Sequence, residues 1–437
     1  MKEGIYNKCR DYLKQYINTI LLEVFLGILL LYITFFIFQP YYDNQKTIID
    51  SKREIDYHFD QANNFYNKGQ FEEAISEYNK ISELSYTKFP DKYASAKNNI
   101  GTAYVRLAYV KNKDMNAQNA INAYQEALKI YTFEEYPYDY AMTQNNLGAA
   151  YGLLAEVRDK EINSEKAIEA NKKALKVYTV EKYPLDYAMT QVCLGITYAR
   201  LAEVRDKEAN AQKAIEASQN ALKVYKFEEY PFDYARAQNT LGSAYTRLAE
   251  VRDKEINSEK AIEANKKALK VYTVEKYPLD YAMTQVCLGN AYGILAEVRD
   301  KETNAQNAIS TYEKALEVYT LEKYPLDYAM TQNNLGNVYL ILANIRDKEI
   351  NVENAISAYQ EALKVYTIEK YPLDNAMTQN NLGAAYGLLA EVRDKETNSE
   401  NAINAYKKAL EVYTVERYPI DHTMTQTNLE YTKRVFK

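Results

Sequence analysis

Eight of the nine prolines fall at positions 90, 137, 184, 231, 278, 325, 372 and 419, and each lies 47 residues from the next. Seven glycines keep the same period, at 101, 148, 195, 242, 289, 336 and 383. A strict period of this length is the signature of a repeat array, in which each unit is one supersecondary element that buries its apolar face only against its neighbours. The 437-residue length would otherwise suggest roughly two to four ordinary domains. The period replaces that expectation with a single array.

Composition limits the chemistry. Two His and three Cys leave little material for nucleophilic or transition-metal sites. The net charge is −6, and outside residues 1–40 the signs are interspersed over a mildly acidic body. Nucleic acid would require a basic stripe, so it is not expected as a partner. Cys193 and Cys287 occupy equivalent places two repeats apart, and repeats stack at roughly 10 Å each. A disulfide needs Cα atoms within about 7 Å, so these two cannot pair in a folded array.

Residues 20–38 read ILLEVFLGILLLYITFFIF, with Glu23 as the only charge. At about 1.5 Å per residue this helix would span roughly the hydrocarbon core. It is apolar on all sides, unlike a soluble amphipathic helix. The sequence after it, Phe38-Gln39-Pro40-Tyr41-Tyr42, offers no small-residue cleavage site. A single-pass anchor is expected, and a buried core helix is the alternative, because the uninterrupted apolar stretch 24–38 is short. Lys2, Lys8, Arg10 and Lys14 precede the span and Lys46, Lys52 and Arg53 follow it, a lean toward a cytoplasmic N-terminus with the array outside.

The unit from Pro137 to Tyr183 predicts two helices. Asp139 is expected to cap the first, which runs to Arg158 with Leu147, Tyr151, Leu154 and Val157 at helical spacing. Residues 159–162 are expected to form a polar loop, with Asn163 capping a second helix over about 164–179. Asn recurs in that register at 116, 163, 210, 257, 304, 351 and 398. Gly148 and Ala167 are placed where the two helices cross closely. Of the 44 tyrosines, 31 fall in five columns of this register, as expected of seam residues whose hydroxyls stay wet.

Leu335-Gly336-x-x-Tyr339, followed by Ala355, Tyr359, Ala362 and Pro372, resembles the tetratricopeptide (TPR) signature. The resemblance covers residues 54 to about 434. The first hairpin, with Ala62, Phe65, Gly69, Ala74, Tyr78 and Ile81, keeps the short family spacing, whereas the later units are lengthened, as in the branch typified by kinesin light chain. It implies an all-α, right-handed superhelical solenoid of stacked hairpins, and the apolar span 20–38 puts one transmembrane helix ahead of it. The expected organisation is a tail over 1–19, the span 20–38, a linker 39–53 and a solenoid 54–437. Second-helix alanines from Ala74 to Ala402 count about eight hairpins, and Glu430 in the glycine register marks a C-terminal capping helix.

Segments 155–195 and 249–289 are identical, as are 141–161 and 376–396. A catalytic site needs different groups converging, whereas copied units set the same groups side by side, which suits an extended surface. In TPR proteins the first helices line the binding face. By that resemblance it includes the positions two and three before each glycine and one, four and five after it. The candidate partner-binding residues are Asn98, Asn99, Asn145, Asn146, Asn239, Asn333, Asn334, Asn380 and Asn381, with Arg106, Arg200, Arg236 and Arg247. A primary amide can pair with both groups of a peptide bond, and arginine with a carboxylate. The competing expectation is that these asparagines only satisfy backbone and neighbouring hairpins. The Arg-Asp pairs from 158–159 to 393–394 are expected as salt-bridged turns, and the methionines at 142, 189, 283, 330, 377 and 424 as packing or groove lining. His58 is expected before the first hairpin.

The expected function is thus a membrane-anchored scaffold binding a protein or peptide partner, with no cofactor, metal or small-molecule substrate and no catalysis. The alternatives are a chaperone-like assembly factor for membrane or envelope proteins, or an enzyme with a groove site.

Overall fold

The computed structural model describes residues 2–436, and all regular structure in them is helical. Met1 and Lys437, the outermost residues of the expected tail and solenoid, lie outside them. The chain divides into two compact units, Met1–Thr132 and Phe133–Lys437.

The first unit opens with one unbroken helix, Lys2–Asn67, that is long and apolar enough to cross a membrane by length and composition. It comprises α1 (Lys2–Ile33), a π-helical turn (Thr34–Phe38) and α2 (Gln39–Asn67). Residues 39–53, expected as a linker, are therefore helical, with Pro40 in the first turn of α2, where its missing N–H costs nothing extra. No residue of α1 is buried. Ile55 is the first buried residue, and from there α2 packs on α3 (Phe71–Ser85) through Ala62, Ala74, Ile75, Tyr78 and Ile81. His58 sits inside this hairpin rather than before it, its Nδ1 2.6 Å from Glu77 Oε2. A hydrogen bond from Lys80, joined by His58, holds the Glu77 carboxyl below its ordinary range. A second hairpin, α4 (Pro90–Val110) and α5 (Lys113–Ala127), completes the unit.

The second unit stacks six hairpins. Their first helices are α6 (Pro137–Ala155), α8 (Pro184–Leu201), α10 (Pro231–Ala249), α12 (Pro278–Ala296), α14 (Pro325–Ala343) and α16 (Pro372–Ala390). The second helices are α7 (Lys160–Ala174), α9 (Lys207–Val224), α11 (Lys254–Ala268), α13 (Lys301–Leu316), α15 (Lys348–Leu363) and α17 (Lys395–Leu410), and α18 (Pro419–Phe436) ends the array.

The helix boundaries correct two expected caps. Tyr136, not Asp139, is the N-cap of α6; Pro137 follows it, and Asp139 lies in the first turn, where its charge suits the helix dipole. Asn163 does not cap α7, and residues 159–162 are not a loop. Asp159 takes a left-handed conformation (φ 46°), which turns the chain in one residue, and the helix begins at Lys160. Asp and Asn tolerate that conformation better than other side chains. Asn163 lies within the first turn and donates Nδ2 back to the Arg158 carbonyl at 2.9 Å. The same bond closes every later turn, from Asn210 to the Arg205 carbonyl through Asn398 to the Arg393 carbonyl.

Tyrosine fills the seams, and not with wet hydroxyls throughout. Tyr225, Tyr272 and Tyr319 are buried and donate to the carbonyls of Leu185, Phe232 and Leu279 at 3.2–3.4 Å. The turn arginines bridge backward to the preceding repeat more closely than to their adjacent aspartates: Arg205 to Glu161 and Glu165 at 3.2 and 2.5 Å, and Arg252 to Glu208 at 2.9 Å. These pairs are about half exposed, so each contributes roughly 0–1 kcal/mol.

Candidate functional site

Each repeat glycine marks the crossing of its hairpin. A Cβ at Gly336 would lie 2.6 Å from Cε1 of Tyr359, and one at Gly242 2.5 Å from Oδ1 of Asn265, so only glycine lets these helices approach. This contact fixes the rotation of every first helix, and with it which flanking residues face solvent.

The two asparagine rows separate. Asn98, in the first unit, and Asn145, Asn239, Asn333 and Asn380, in the second, are buried. Asn239 donates to Thr284 Oγ1 at 2.9 Å, and Asn333 accepts from Thr378 Oγ1 at 3.2 Å, both across neighbouring repeats. Asn239 and Asn333 thus tether hairpins, whereas the buried Oδ1 atoms of Asn145 and Asn380 have no hydrogen-bond partner. Asn99, Asn146, Asn334 and Asn381 are only half-buried. Asn334 donates to Asn290 at 3.1 Å and Asn381 to Asn337 at 3.2 Å. Those acceptors also receive the hydroxyls of Tyr312 and Tyr359, each at 2.7 Å. The amides thus form their own rungs along α12, α14 and α16. Asn290 and Asn337 stand one residue after the glycine, a position expected to line the face, but their pairing was not legible.

The arginines also separate. Arg106 lies in the first unit, exposed, with Nε donating to the Tyr66 hydroxyl at 3.2 Å. In the second unit Arg200 donates to the Gly152 carbonyl at 2.7 Å and to Glu156 at 2.8 Å. Arg247 bridges Glu203 and Glu250. Glu203, which sequence reasoning passed over, also takes Lys160 at 2.9 Å. Burial works to raise the Glu203 carboxyl, but Arg247, Lys160 and Arg200 hold it below its ordinary range.

Arg200, Arg236 and Asn239 converge on one pocket of about 260 Å³ between α8, α10 and α12, lined also by Ile196, Glu203, Thr240, Asp280, Met283 and Cys287. Burial pushes the Cys287 thiol up, against the pull of Arg247 and a hydrogen bond with Asn239. A second pocket of about 600 Å³ shares Glu203 and continues past Arg247, Asn290, Asn334 and Asn337 to Met330 and Met377. Met283, Met330 and Met377 are 40–43% exposed and line the face, whereas Met142 of the same column packs against the buried Ala141, Ala174 and Tyr178. Unbranched and polarizable, methionine suits an adaptable binding surface. Among the described residues no group of three or more His, Cys, Asp or Glu could hold a metal ion.

The family model described as tetratricopeptide repeat matches residues 383–414, across the last hairpin. No curated protein sequence matches the chain. Among solved structures, the C-terminal part of a TPR repeat-containing protein from Cytophaga hutchinsonii is 16% identical, with 70% of this chain and 95% of that one covered and a TM-score of 0.37. The apo form of RapI is 14% identical over 88% and 97% of the two chains, with a TM-score of 0.45. Rap protein complexed with competence and sporulation factor is 13% identical over 87% and 98%, with a TM-score of 0.44. The stacked glycine-crossed hairpins, together with the family match inside them, make this chain a TPR-like all-α repeat.

Proposed function

We propose that the chain is a membrane-tethered scaffold whose second unit binds an extended protein or peptide segment along its first-helix face. The observation that carries this reading is the pair of adjoining pockets, which runs over first helices from α8 to α16 and combines exposed methionines, amides and arginines. The lengthened hairpins fit a likeness to the kinesin-light-chain branch. The helix through residues 20–38 serves as the anchor, with the N-terminus cytoplasmic and the array outside. Because helix continues from Lys2 to Asn67, the tether joins the first hairpin without a flexible break.

A photoreactive residue at position 283 or 330, in intact cells, should capture a specific protein, whereas one at the exposed second-helix position Glu216 should not. Recovery of no specific protein from either face position would overturn the scaffold. Protease added to intact cells should degrade the array, and an intact array would reverse the assigned orientation.

A further inference from the structure

We infer that the pocket between α8, α10 and α12 takes a partner segment carrying one acidic and one basic side chain close together, the acid on Arg236 and the base at Asp280. This rests on the peptide-binding reading above and specifies its chemistry.

The charges lining the pocket decide it. Arg200 is occupied by the Gly152 carbonyl and Glu156, and Glu203 by Lys160 and Arg247. Arg236 and Asp280 remain. The Arg236 side chain has no ion pair or hydrogen bond among the described residues; it feels Cys193, Tyr272, Asp233, Tyr225 and Asp280 only through space. The Asp280 carboxylate is in the same position, attracted by Arg236 across the pocket but bonded only to its own backbone N–H. Both side chains are half-buried, where an unpartnered charge is costly and gains most from a partner.

Arg236 is also a break in the copying. The same register holds methionine at 142, 189, 283, 330, 377 and 424. A cation has entered one repeat, beside an aspartate that the register supplies anyway. A segment with two acids would satisfy Arg236 but set its second charge against Asp280. An acid and a base together satisfy both, with Ile196 and Met283 left for the apolar part of the segment. Because the pocket shares Glu203 with its larger neighbour, an occupant can run on beyond it, which suits a chain better than a free small molecule.

A phage-displayed library of random decapeptides, panned on the full chain in detergent micelles, tests this. The wild type should enrich segments with an acid and a base within a few residues. Arg236→Met, which restores the residue carried by six sister repeats, should still fold and should lose the acidic preference, with binding of wild-type-selected peptides weakened about 10–100-fold. Asp280→Asn should lose the basic preference. Enrichment that ignores charge, enrichment of doubly acidic segments, or identical selections on wild type and Arg236→Met would overturn this inference and leave the scaffold standing. A library yielding no binder at all, with no protein captured from position 283 or 330, would remove both.

Discussion

Hairpins α6/α7, α8/α9 and α10/α11 share one template with hairpins α12/α13, α14/α15 and α16/α17, yet they close their glycine crossings differently. In the first group the residues facing the glycine are Asn171, Ser218 and Asn265; in the second they are Tyr312, Tyr359 and Tyr406. The tyrosines bring large buried rings, and two of them reach across to Asn290 and Asn337, which hold Asn334 and Asn381 in turn. In the first group Ser218 donates within its own helix, to the Ala214 carbonyl at 2.8 Å, and Asn265 accepts from Asn239 at 3.5 Å. Asn171 is fully buried with neither end of its amide partnered, and Asn265 leaves its Nδ2 without a partner. That same group supplies Arg200, Arg236 and Arg247. Hairpins α12–α17 are thus stitched by their own amides and tyrosine hydroxyls, whereas α6–α11 leave Asn171 and one end of Asn265 unpartnered and the Arg236 side chain without an ion pair.

Substitutions and pH should break this comparison in graded ways. The largest effect belongs to Tyr359→Ala, which empties a fully buried ring site and removes one of the two donors to Asn337, leaving Asn381. It should cost about 3–5 kcal/mol, read as earlier melting of the C-terminal hairpins in denaturant. Next comes alkaline pH. Burial pushes the hydroxyls of Tyr406 and Tyr413 up to about 12 from an ordinary value of 10. The folded state keeps these protons where the unfolded state has lost them, so the stabilisation is whole below pH 10 and declines from 10 to 12. Each such tyrosine accounts for roughly 2–3 kcal/mol. Burial also raises the hydroxyls of Tyr312 and Tyr359, and α6–α11 carry no tyrosine at the matching glycine crossings, so hydrogen exchange above pH 10 should open α12–α17 further than α6–α11. A smaller change, about 0.5–1.5 kcal/mol, is expected for Asn334→Ala, which removes one rung. The smallest, zero or a slight gain, is expected for Asn171→Ala, because it deletes two orphaned polar atoms. Equal losses for Asn171→Ala and Tyr359→Ala would erase the distinction between the two halves.

Most of the fold was legible because proline, glycine and tyrosine each repeat at a fixed place, and helical spacing assigns their roles. The start of each second helix was not. It depends on a left-handed Asp159 that absorbs the turn alone, and a sequence shows an aspartate there without its backbone angle. The site was legible in part. Consecutive asparagines lie about 100° apart around a helix, so one row had to turn inward, but which row did so was set by the glycine crossing. Of the residues that depart from the repeated pattern, Arg236, Thr240 and Cys287 meet in one pocket, whereas Val192, Cys193 and Val286 do not line it. Glu203 and Asp280 did not stand out, because matching acidic residues occur in other repeats.

The most direct test of the account is hydrogen exchange on the full chain with and without the protein captured from position 283. New protection is expected over α8, α10 and α12, weaker protection toward α16, and none on the exposed surface of α9 and α11. Protection confined to the second helices, or spread evenly over all six hairpins of the second unit, would contradict it.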